Sequence, residues 1–352
     1  RTEQVRRLRI RFPNFKDNGE GVRNMTRNLV SSYMLLGKQA KGTTAQEVLQ
    51  NAGLDFNVSK HPSGYMNHEG RFIGNPGHFV TVRDDTGLPL GQVGRTYTVY
   101  QNEPTIQIFD SLVGEGLVEY DRIANIDNGR KIMASMRMPE GFSIAGWDDI
   151  EQYVYVINSH DGSSAVRLIP ANQRLKCQNQ FAYLESLLRQ AGINPRVLSI
   201  RHSSKITERV NGLREALKVV DHLNETFAHT AEDMMKVELE LADRIGYYID
   251  AVGLKTDEEL IDKVENPYGL TTRGRNTLDR LLELETSETN TTGGIGGTVW
   301  GSFNTVTEFL DHGWVYDRKG EKVNEKRVES SLLGTGMRMK DRAWQGAIKL
   351  LA

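Results

Sequence analysis

The sequence predicts an α+β fold, in which an antiparallel β-meander or hairpin core with packed helices is followed by a long helix and a C-terminal helical region. From about residue 78 to 180, apolar residues alternate with polar ones, which is the period of a half-buried strand. The turn signal Asp127-Asn128-Gly129 joins two such runs and favours antiparallel pairing, because Asn and Gly tolerate positive φ. After residue 203 the apolar residues recur at steps of three and four, which is the period of a helix.

The composition is that of a globular chain and excludes several classes of protein. The 352 residues suffice for two or three domains, and 44 Lys and Arg against 46 Asp and Glu give a net charge of −2. No overall field therefore draws the chain to nucleic acid or membrane, so such affinity must come from local patches. A single cysteine, Cys177, excludes a disulfide framework and indicates a reducing, cytoplasmic setting. No apolar run is long enough to span a bilayer, so we expect no membrane partner.

The chain divides into four predicted segments, 1–60, 61–202, 203–290 and 291–352. The first is a basic arm with a short helix: residues 1–27 hold eight basic groups against three acidic ones, Thr43 is a plausible helix cap, and Gly53 ends the helix. This charge is equally consistent with an arm that contacts nucleic acid and with a solvated leader. Between 61 and 76, glycines, prolines, histidines and asparagines predict an irregular stretch.

The second segment, 61–202, carries the predicted α+β core. A helix is expected over 103–117. The turn Asp161-Gly162-Ser163 is expected to join two of the strands. Strands are expected at 79–83, 90–99, 120–126, 130–138, 153–158, 165–169 and 173–178.

The third and fourth segments are predicted to be helical. A seam of apolar residues, interrupted by one polar residue, extends over 206–234 and resembles a coiled coil. It can pack either against the same seam of a second copy, which gives a homo-oligomer, or against the chain's own domain. Residues 252–290 are expected to be exposed, 291–297 to be a flexible link, and 299–311 and 329–351 to be helices. The seam consists of Ile206, Val210, Leu213, Leu217, Val220, Asn224, Phe227, Ala231 and Met234.

Signals for covalent chemistry are weak in this sequence. Cys177 has Lys176 as its neighbour, but strand alternation points the two side chains to opposite faces, and a buried structural cysteine is the simpler interpretation. His160 and Asp161 form the only adjacent His–Asp pair, and Asp161 there favours an Asx-turn over a metal site. The eight histidines are scattered, so we expect no metal, and the glycines of 293–297 lack a following Gly-Lys-Ser/Thr.

Local charge points instead to nucleic acid. Residues 164–205 hold seven basic groups against one acidic group, a local charge of +6. Two basic strand faces flanked by tyrosines would suit a groove for a single strand, in which cations follow phosphates and rings stack on bases. The alternative is that these cations merely keep a sheet soluble. The residues proposed for the groove are Tyr97, Tyr100, Arg130, Lys131, Arg137, Arg167, Arg174 and Lys176.

Several stretches in fixed order resemble the family of phage/plasmid-like proteins defined by domain of unknown function 932. They include residues 82–87, 90–94, 97–102, 158–163 and 174–179, and the run from Trp300 to His312. At the level of fold the family is similar to the single-strand annealing proteins that include phage Red-beta, Erf and Sak. The resemblance implies an α+β core of hairpins and helices, and by analogy a role on single-stranded DNA.

The sequence therefore predicts a protein that binds and anneals single-stranded DNA in phage or plasmid recombination or replication, as an oligomer assembled through 206–234. We expect no catalytic residue, metal or cofactor for this role. Two alternatives remain open. One is a hydrolase or nucleotide-modifying enzyme that uses Cys177, His160 and Asp161, and the other is a phage structural or assembly protein.

Overall fold

A computed structural model describes residues 37–174, 199–203, 219–262, 266–312, 330 and 334–351; the side chains of 172–174, 219–223 and 312 lie outside this description. It confirms the predicted α+β class with its C-terminal helical region. The strands are β1 (Lys38–Gln39), β2 (Val58–Met66), β3 (Phe72–Arg83), β4 (Pro89–Gly94), β5 (Glu119–Ile126), β6 (Lys131–Arg137), β7 (Phe142–Ile144), β8 (Asp148–Ser159), β9 (Val166–Arg174) and β10 (Ser199–Ile200). The helices are α1 (Ala45–Ala52), α2 (Asn102–Gln107), α3 (Asp110–Gly114), α4 (Val219–Met235), α5 (Leu241–Val252), α6 (Thr272–Glu285), α7 (Glu288–Thr291), α8 (Val299–His312) and α9 (Thr335–Lys349).

The main sheet is antiparallel, with strand order β1-β5-β6-β8-β9-β10 and with β7 beside β8. Strand β6 lies at its centre, where Ala134 pairs with Ile123 on one side and Val156 on the other. Side chains alternate between the two faces of a strand. Ala134 and its even-numbered neighbours therefore lie in the large core shared with the helices, whereas Met133 lies in a smaller cluster on the opposite face. Both faces of β6 are therefore buried.

A second sheet, β2-β3-β4, forms a three-stranded ribbon. The prediction of an irregular stretch at 61–76 is wrong, because most of these residues belong to the paired hairpin of β2 and β3. The prolines that suggested a loop are accommodated at an irregular pairing, because the register shifts between Pro62 and Gly64. The ribbon is the element on which the candidate site is built.

The helices pack together around aromatic rings. Trp300 and Trp344 are both almost fully buried, and the ring of Phe227 lies 5.7 Å from the first and 5.6 Å from the second, measured between centroids. The buried apolar cluster runs from Ala45 to Ala347, so residues of all four predicted segments share it. The C-terminal half of the seam belongs to it as well, because Asn224, Phe227, Ala231 and Met234 are buried within the chain.

Three predicted boundaries are wrong for reasons of tertiary contact. The strand expected over 90–99 ends at Gly94, because the chain turns there and the Lys60 ammonium holds the carbonyls of Arg95 and Tyr97 at 2.8 Å each. The helix expected over 103–117 is broken into α2 and α3. Strands expected at 165–169 and 173–178 are one strand, β9, up to residue 174, in which Pro170 pairs with Val154.

Two regions predicted to be exposed or flexible are packed in part. The expected link at 291–297 is held in place: a Cβ on Gly293 would come within 2.2 Å of the Trp147 ring, and Ile295 is buried. Within the expected exposed region 252–290, residues 255–262 are exposed as predicted, whereas helix α6 buries Leu278 and Leu281. The helix cap near 43 is Thr44 rather than Thr43, whereas Gly53 ends α1 as predicted. Helix α8 confirms the prediction for 299–311.

Candidate functional site

The end of the ribbon that carries the turn between β2 and β3 exposes a group of large apolar side chains. The turn that closes it is held by Asn67, whose side-chain oxygen accepts hydrogen bonds from the amides of Glu69 and Arg71 at 3.0 and 2.9 Å. In the last two pairs of the hairpin, Tyr65 faces Ile73 and Met66 faces Phe72. Their exposed fractions are 64% for Tyr65, 61% for Met66, 55% for Phe72 and 39% for Ile73. Rings exposed to this degree are surfaces on which a ligand can stack.

The charge of this hairpin is slightly positive. Residues 58–78 contain Lys60 and Arg71 against Glu69, which gives +1, together with three histidines counted as neutral. The Arg71 side chain is 78% exposed and lies 3.6 Å from the Glu69 carboxylate. Such an exposed ion pair is weak in water, so the Arg71 guanidinium is available to an anionic ligand.

The other end of the ribbon docks on the turn between β8 and β9. The Thr81 hydroxyl donates to the His160 carbonyl at 2.7 Å. A Cβ on Gly91 would come within 2.5 Å of the Cα of Asp161, so only glycine permits this approach. The Lys60 ammonium, already bound to two carbonyls, lies 4.4 Å from the centre of the Phe79 ring. The ribbon thus has an inner face fixed to the main sheet and an outer face turned away from it.

Beside the docked end, Tyr97 and His202 stack with 4.7 Å between ring centroids and 17° between their planes. The Tyr97 hydroxyl donates to the Ser159 carbonyl at 2.6 Å. Burial, and to a smaller extent the Asp161 carboxylate, raise the pKa of Tyr97, so its hydroxyl stays neutral. Two exposed arginines, Arg95 and Arg201, flank this pair along the chain. One face of the predicted stacking residue Tyr97 is therefore already occupied.

The other residues predicted for the groove are dispersed. Tyr100 is buried, with its hydroxyl 3.2 Å from the Pro104 carbonyl, so neither face of its ring is open to a base. Lys131 is buried too, and its ammonium lies 3.6 Å from the Asp161 carboxylate. Arg137, at the far end of β6, is bound to Glu119 at 2.7 Å, and this hydrogen bond raises the pKa of the arginine.

Three further predicted residues complete this set. Arg130 is exposed and lies 3.2 Å from the carboxylate of Asp127 in the same turn. Arg167 is half-buried and pairs with Ile157 of β8. The side chain of Arg174 and the whole of Lys176 lie outside the described residues. The described members therefore do not form one continuous groove on the main sheet.

The residues of the predicted enzyme alternative are directed to different partners. His160 is fully buried, and its Nε2 lies 2.7 Å from the Asn102 side-chain oxygen. Burial lowers the pKa of His160 to about 4. Asp161 accepts from the Ser163 amide at 2.9 Å, which confirms the predicted Asx-turn. Burial by itself raises the pKa of Asp161, but hydrogen bonds from Ser159 and Ser163, with the charge of Lys131, outweigh it and lower the pKa. Cys177 lies outside the described residues.

Neither a metal site nor a membrane span stands out in the described part of the chain. No group of three or more His, Cys, Asp or Glu there could hold a metal ion. Among the same residues, every helix is too short or too polar to cross a bilayer.

The ribbon end was not predicted from the sequence, because the glycines, prolines, histidines and asparagines of 61–76 indicate an irregular stretch. The signal that could have found it is the symmetry about the turn. Tyr65 and Met66 precede Asn67, and Phe72 and Ile73 follow Arg71, so two apolar pairs flank a polar connection.

Comparison with known proteins gives one match. The family model described as "Domain of unknown function (DUF932)" matches residues 89–332, which is more than half of the chain. No curated protein and no solved structure matches. The matched residues begin at the first residue of β4, so strands β2 and β3 precede them.

Proposed function

Since the chain belongs to the family described as "Domain of unknown function (DUF932)", which carries no assigned activity, we propose a function from its own geometry: it binds single-stranded DNA and promotes annealing. The proposal needs no covalent chemistry. Annealing requires that bases be held unstacked and accessible while the repulsion between phosphates is relieved. We place this activity in the cytoplasm, in phage or plasmid recombination or replication.

The observation that carries the proposal is the exposed end of the ribbon. Tyr65 and Phe72 offer ring faces to solvent beside the Arg71 guanidinium, and base–aromatic stacking is tolerant of sequence because every base has a π-face. Single-strand binding proteins combine such rings with cations that follow the backbone. At its turn the ribbon consists of β2 and β3 alone, and their side chains alternate between its two faces, so rings on both faces could hold neighbouring bases apart.

Cations at the docked end of the ribbon extend the proposed DNA-binding surface. Arg95 follows β4 directly, and Gly94 pairs with His78 of β3. From His78 to Phe72 the chain advances six residues, or at most about 20 Å at the rise of an extended strand. Arg71 at one end and Arg95 and Arg201 at the other would therefore contact phosphates of the same strand several nucleotides apart. Of the residues predicted from sequence, Tyr97 and Arg167 belong to this end. Arg174 is the last residue of β9 and pairs with Ile150, at the opposite end of the strand from Arg167, and Lys176 lies outside the described residues. We propose these two as a further phosphate contact.

We propose assembly into a homo-oligomer as part of the same function, because an annealing protein distributes one strand over many subunits. Phe227, Ala231 and Met234 are buried inside the chain, so they cannot serve as the contact. The contact proposed through 206–234 therefore falls on its earlier part, which includes Leu213, outside the described residues. Light scattering with and without an oligonucleotide tests this part, and a protein that stays monomeric in both conditions refutes it.

The binding proposal is tested with a fluorescent single-stranded oligonucleotide and the full chain. Replacing Tyr65 and Phe72 by Ala is expected to cost about 1–3 kcal/mol for each base that no longer stacks. The matched control is Leu117→Ala, which removes an apolar side chain of 52% exposure elsewhere on the surface and should leave affinity unchanged. Absence of salt-dependent binding by the wild-type chain, or equal affinities for the double variant and the control, would overturn the proposal.

The charge component has its own test. The double variant Arg71→Ala/Arg95→Ala should flatten the plot of log K against log salt by about 1.4 units, because each phosphate contact on a single strand contributes about 0.7. Arg273 and Arg275, exposed on α6, provide the control pair, and their replacement should leave the slope as it is. Strand annealing, followed by quenching between two labelled complementary strands, should slow in the first double variant and not in the second.

A further inference from the structure

The outer face of the ribbon contains a recess formed by its irregular pairing. Pro62 faces Phe79, but two residues later Gly64 faces Gly74, so the residues of β3 from Asn75 to His78 have no regular partner on β2, although His78 pairs with Gly94 of β4. The recess is an open cavity of about 560 Å³, lined by Ser63, Tyr65, Asn75, Pro76 and Gln92 with two glycines. This volume falls within the range of small-molecule sites, about 300–1,000 Å³.

The outer position of the recess follows from strand alternation. On β2, Lys60 shares the inner face with its partner Thr81, which binds the main sheet. Ser63 and Tyr65, which are odd-numbered, lie on the opposite face. Gln92 of β4 lies there too, since its side-chain nitrogen is 3.4 Å from the Ser63 hydroxyl. The recess is therefore open to solvent, away from the docking contact.

The lining determines the chemistry of the ligand. It carries no charged side chain, so it is unsuited to a phosphate. It offers one aromatic ring, Tyr65, and two amides, Asn75 and Gln92, and within the described part of the chain the Asn75 amide makes no hydrogen bond. An amide presents a donor and an acceptor side by side, which is the pattern that matches a base edge. A flat, neutral ring with polar edges is the kind of ligand that fits one aromatic ring and two amides.

We propose that this recess takes one unpaired nucleobase, stacked on Tyr65 and hydrogen-bonded at its edge by Asn75 and Gln92; the inference rests on the single-stranded DNA binding proposed above. Arg71, in the turn next to the recess, then binds a phosphate of the same DNA strand. The ribbon thereby holds one base out of the stack, with its phosphate neutralised beside it.

The test compares two fluorescent strands of equal length, one of thymidines and one with abasic sites throughout. The wild-type chain should bind the thymidine strand more tightly. Asn75→Ala/Gln92→Ala should lose about two- to tenfold of that affinity for each hydrogen bond removed. Ser63→Val should lose a similar amount, because the larger side chain fills the recess from the face that Ser63 shares with Tyr65. Neither variant should change affinity for the abasic strand.

Two further measurements support the comparison. Asn276→Ala, at an exposed position on α6, is the matched control and should bind both strands like the wild-type chain. Irradiation with a 5-iodouracil strand, followed by mass spectrometry, should place a crosslink on Tyr65 that Asn75→Ala/Gln92→Ala diminishes. A crosslink found only on other residues overturns the pocket.

The outcomes separate this inference from the function on which it rests. If the wild-type chain binds neither strand, single-stranded DNA binding fails, and the pocket fails with it. If it binds both strands but the pocket variants bind like the wild-type chain, only the pocket inference fails, and a protein side chain becomes the better occupant of the recess. If the variants lose affinity equally for both strands, the recess positions the backbone rather than a base, and the base pocket is again refuted.

Discussion

Buried His160 is expected to make the protein less stable in mild acid. Its Nε2 lies 2.7 Å from Asn102 Oδ1, and the Asn102 amide donates to the carbonyls of Leu54 and Phe56, at 3.0 and 3.3 Å. Asn102 Oδ1 must therefore accept, so His160 donates from Nε2 and is neutral with a bare Nδ1. Among the described residues, that Nδ1 has no hydrogen-bond partner, so a proton added there would be buried without an acceptor.

The magnitude follows from the pKa. Burial, followed by the charge of a protonated His202, lowers the pKa of His160 from 6.5 to about 4. Between these values the unfolded chain binds more protons than the folded chain, so stability falls as the pH falls. One pKa unit corresponds to about 1.4 kcal/mol, so the loss on going from pH 7.5 to pH 5 is about 2 kcal/mol, and it levels off near 3.4 kcal/mol below pH 4.

The assay is urea unfolding followed by circular dichroism at pH 7.5 and pH 5. In His160→Gln, the glutamine amide can still donate to Asn102 but has no proton to gain. The stability advantage of the wild-type chain over this variant should therefore shrink by about 2 kcal/mol between the two pH values. His78→Gln, at an exposed histidine of the ribbon, is the control. A wild-type advantage that stays constant or grows in acid would refute the assignment of His160 as a buried neutral base.

Three other outcomes are expected. Gly91→Ala forces a Cβ to within 2.5 Å of the Cα of Asp161, so it should cost about 1–3 kcal/mol in urea unfolding and loosen the ribbon; a variant as stable as the wild-type chain contradicts the docking contact. Trp344→Ala removes a buried ring from the aromatic cluster and should cost about 3–5 kcal/mol, measured in the same way. Arg174→Ala/Lys176→Ala should weaken single-strand binding and flatten its salt slope by about 1.4 to 2 units; an unchanged slope removes these two residues from the proposed DNA-binding surface.

The fold class can be predicted from the sequence, because periodicity is a local property. Alternation over 120–126 and 130–138 predicts strands that coincide within a residue or two with β5 and β6. The turn chemistry of Asp161, and the end of α1 at Gly53, likewise depend on side chains close in the chain. The family resemblance follows the order of such local stretches, and the match over 89–332 confirms it.

Which residues are exposed, in contrast, depends on contacts between segments that are far apart in the chain. Lys131 and Tyr100 resemble surface groups in the sequence, but both are buried: the Lys131 ammonium lies beside the Asp161 carboxylate, and Tyr100 packs in the large core. Lys340, on an otherwise ordinary helix, is fully buried with its ammonium 2.5 Å from the Asp311 carboxylate. Tyr65, in contrast, lies in a hairpin whose partner strand is close in sequence but whose docking turn, at His160 and Asp161, is distant, so the local pattern predicts the apolar pairs but not that the Tyr65 ring is open to solvent. Burial is set by what packs from elsewhere in the chain, and for that reason the candidate site emerges only when the strands are assembled.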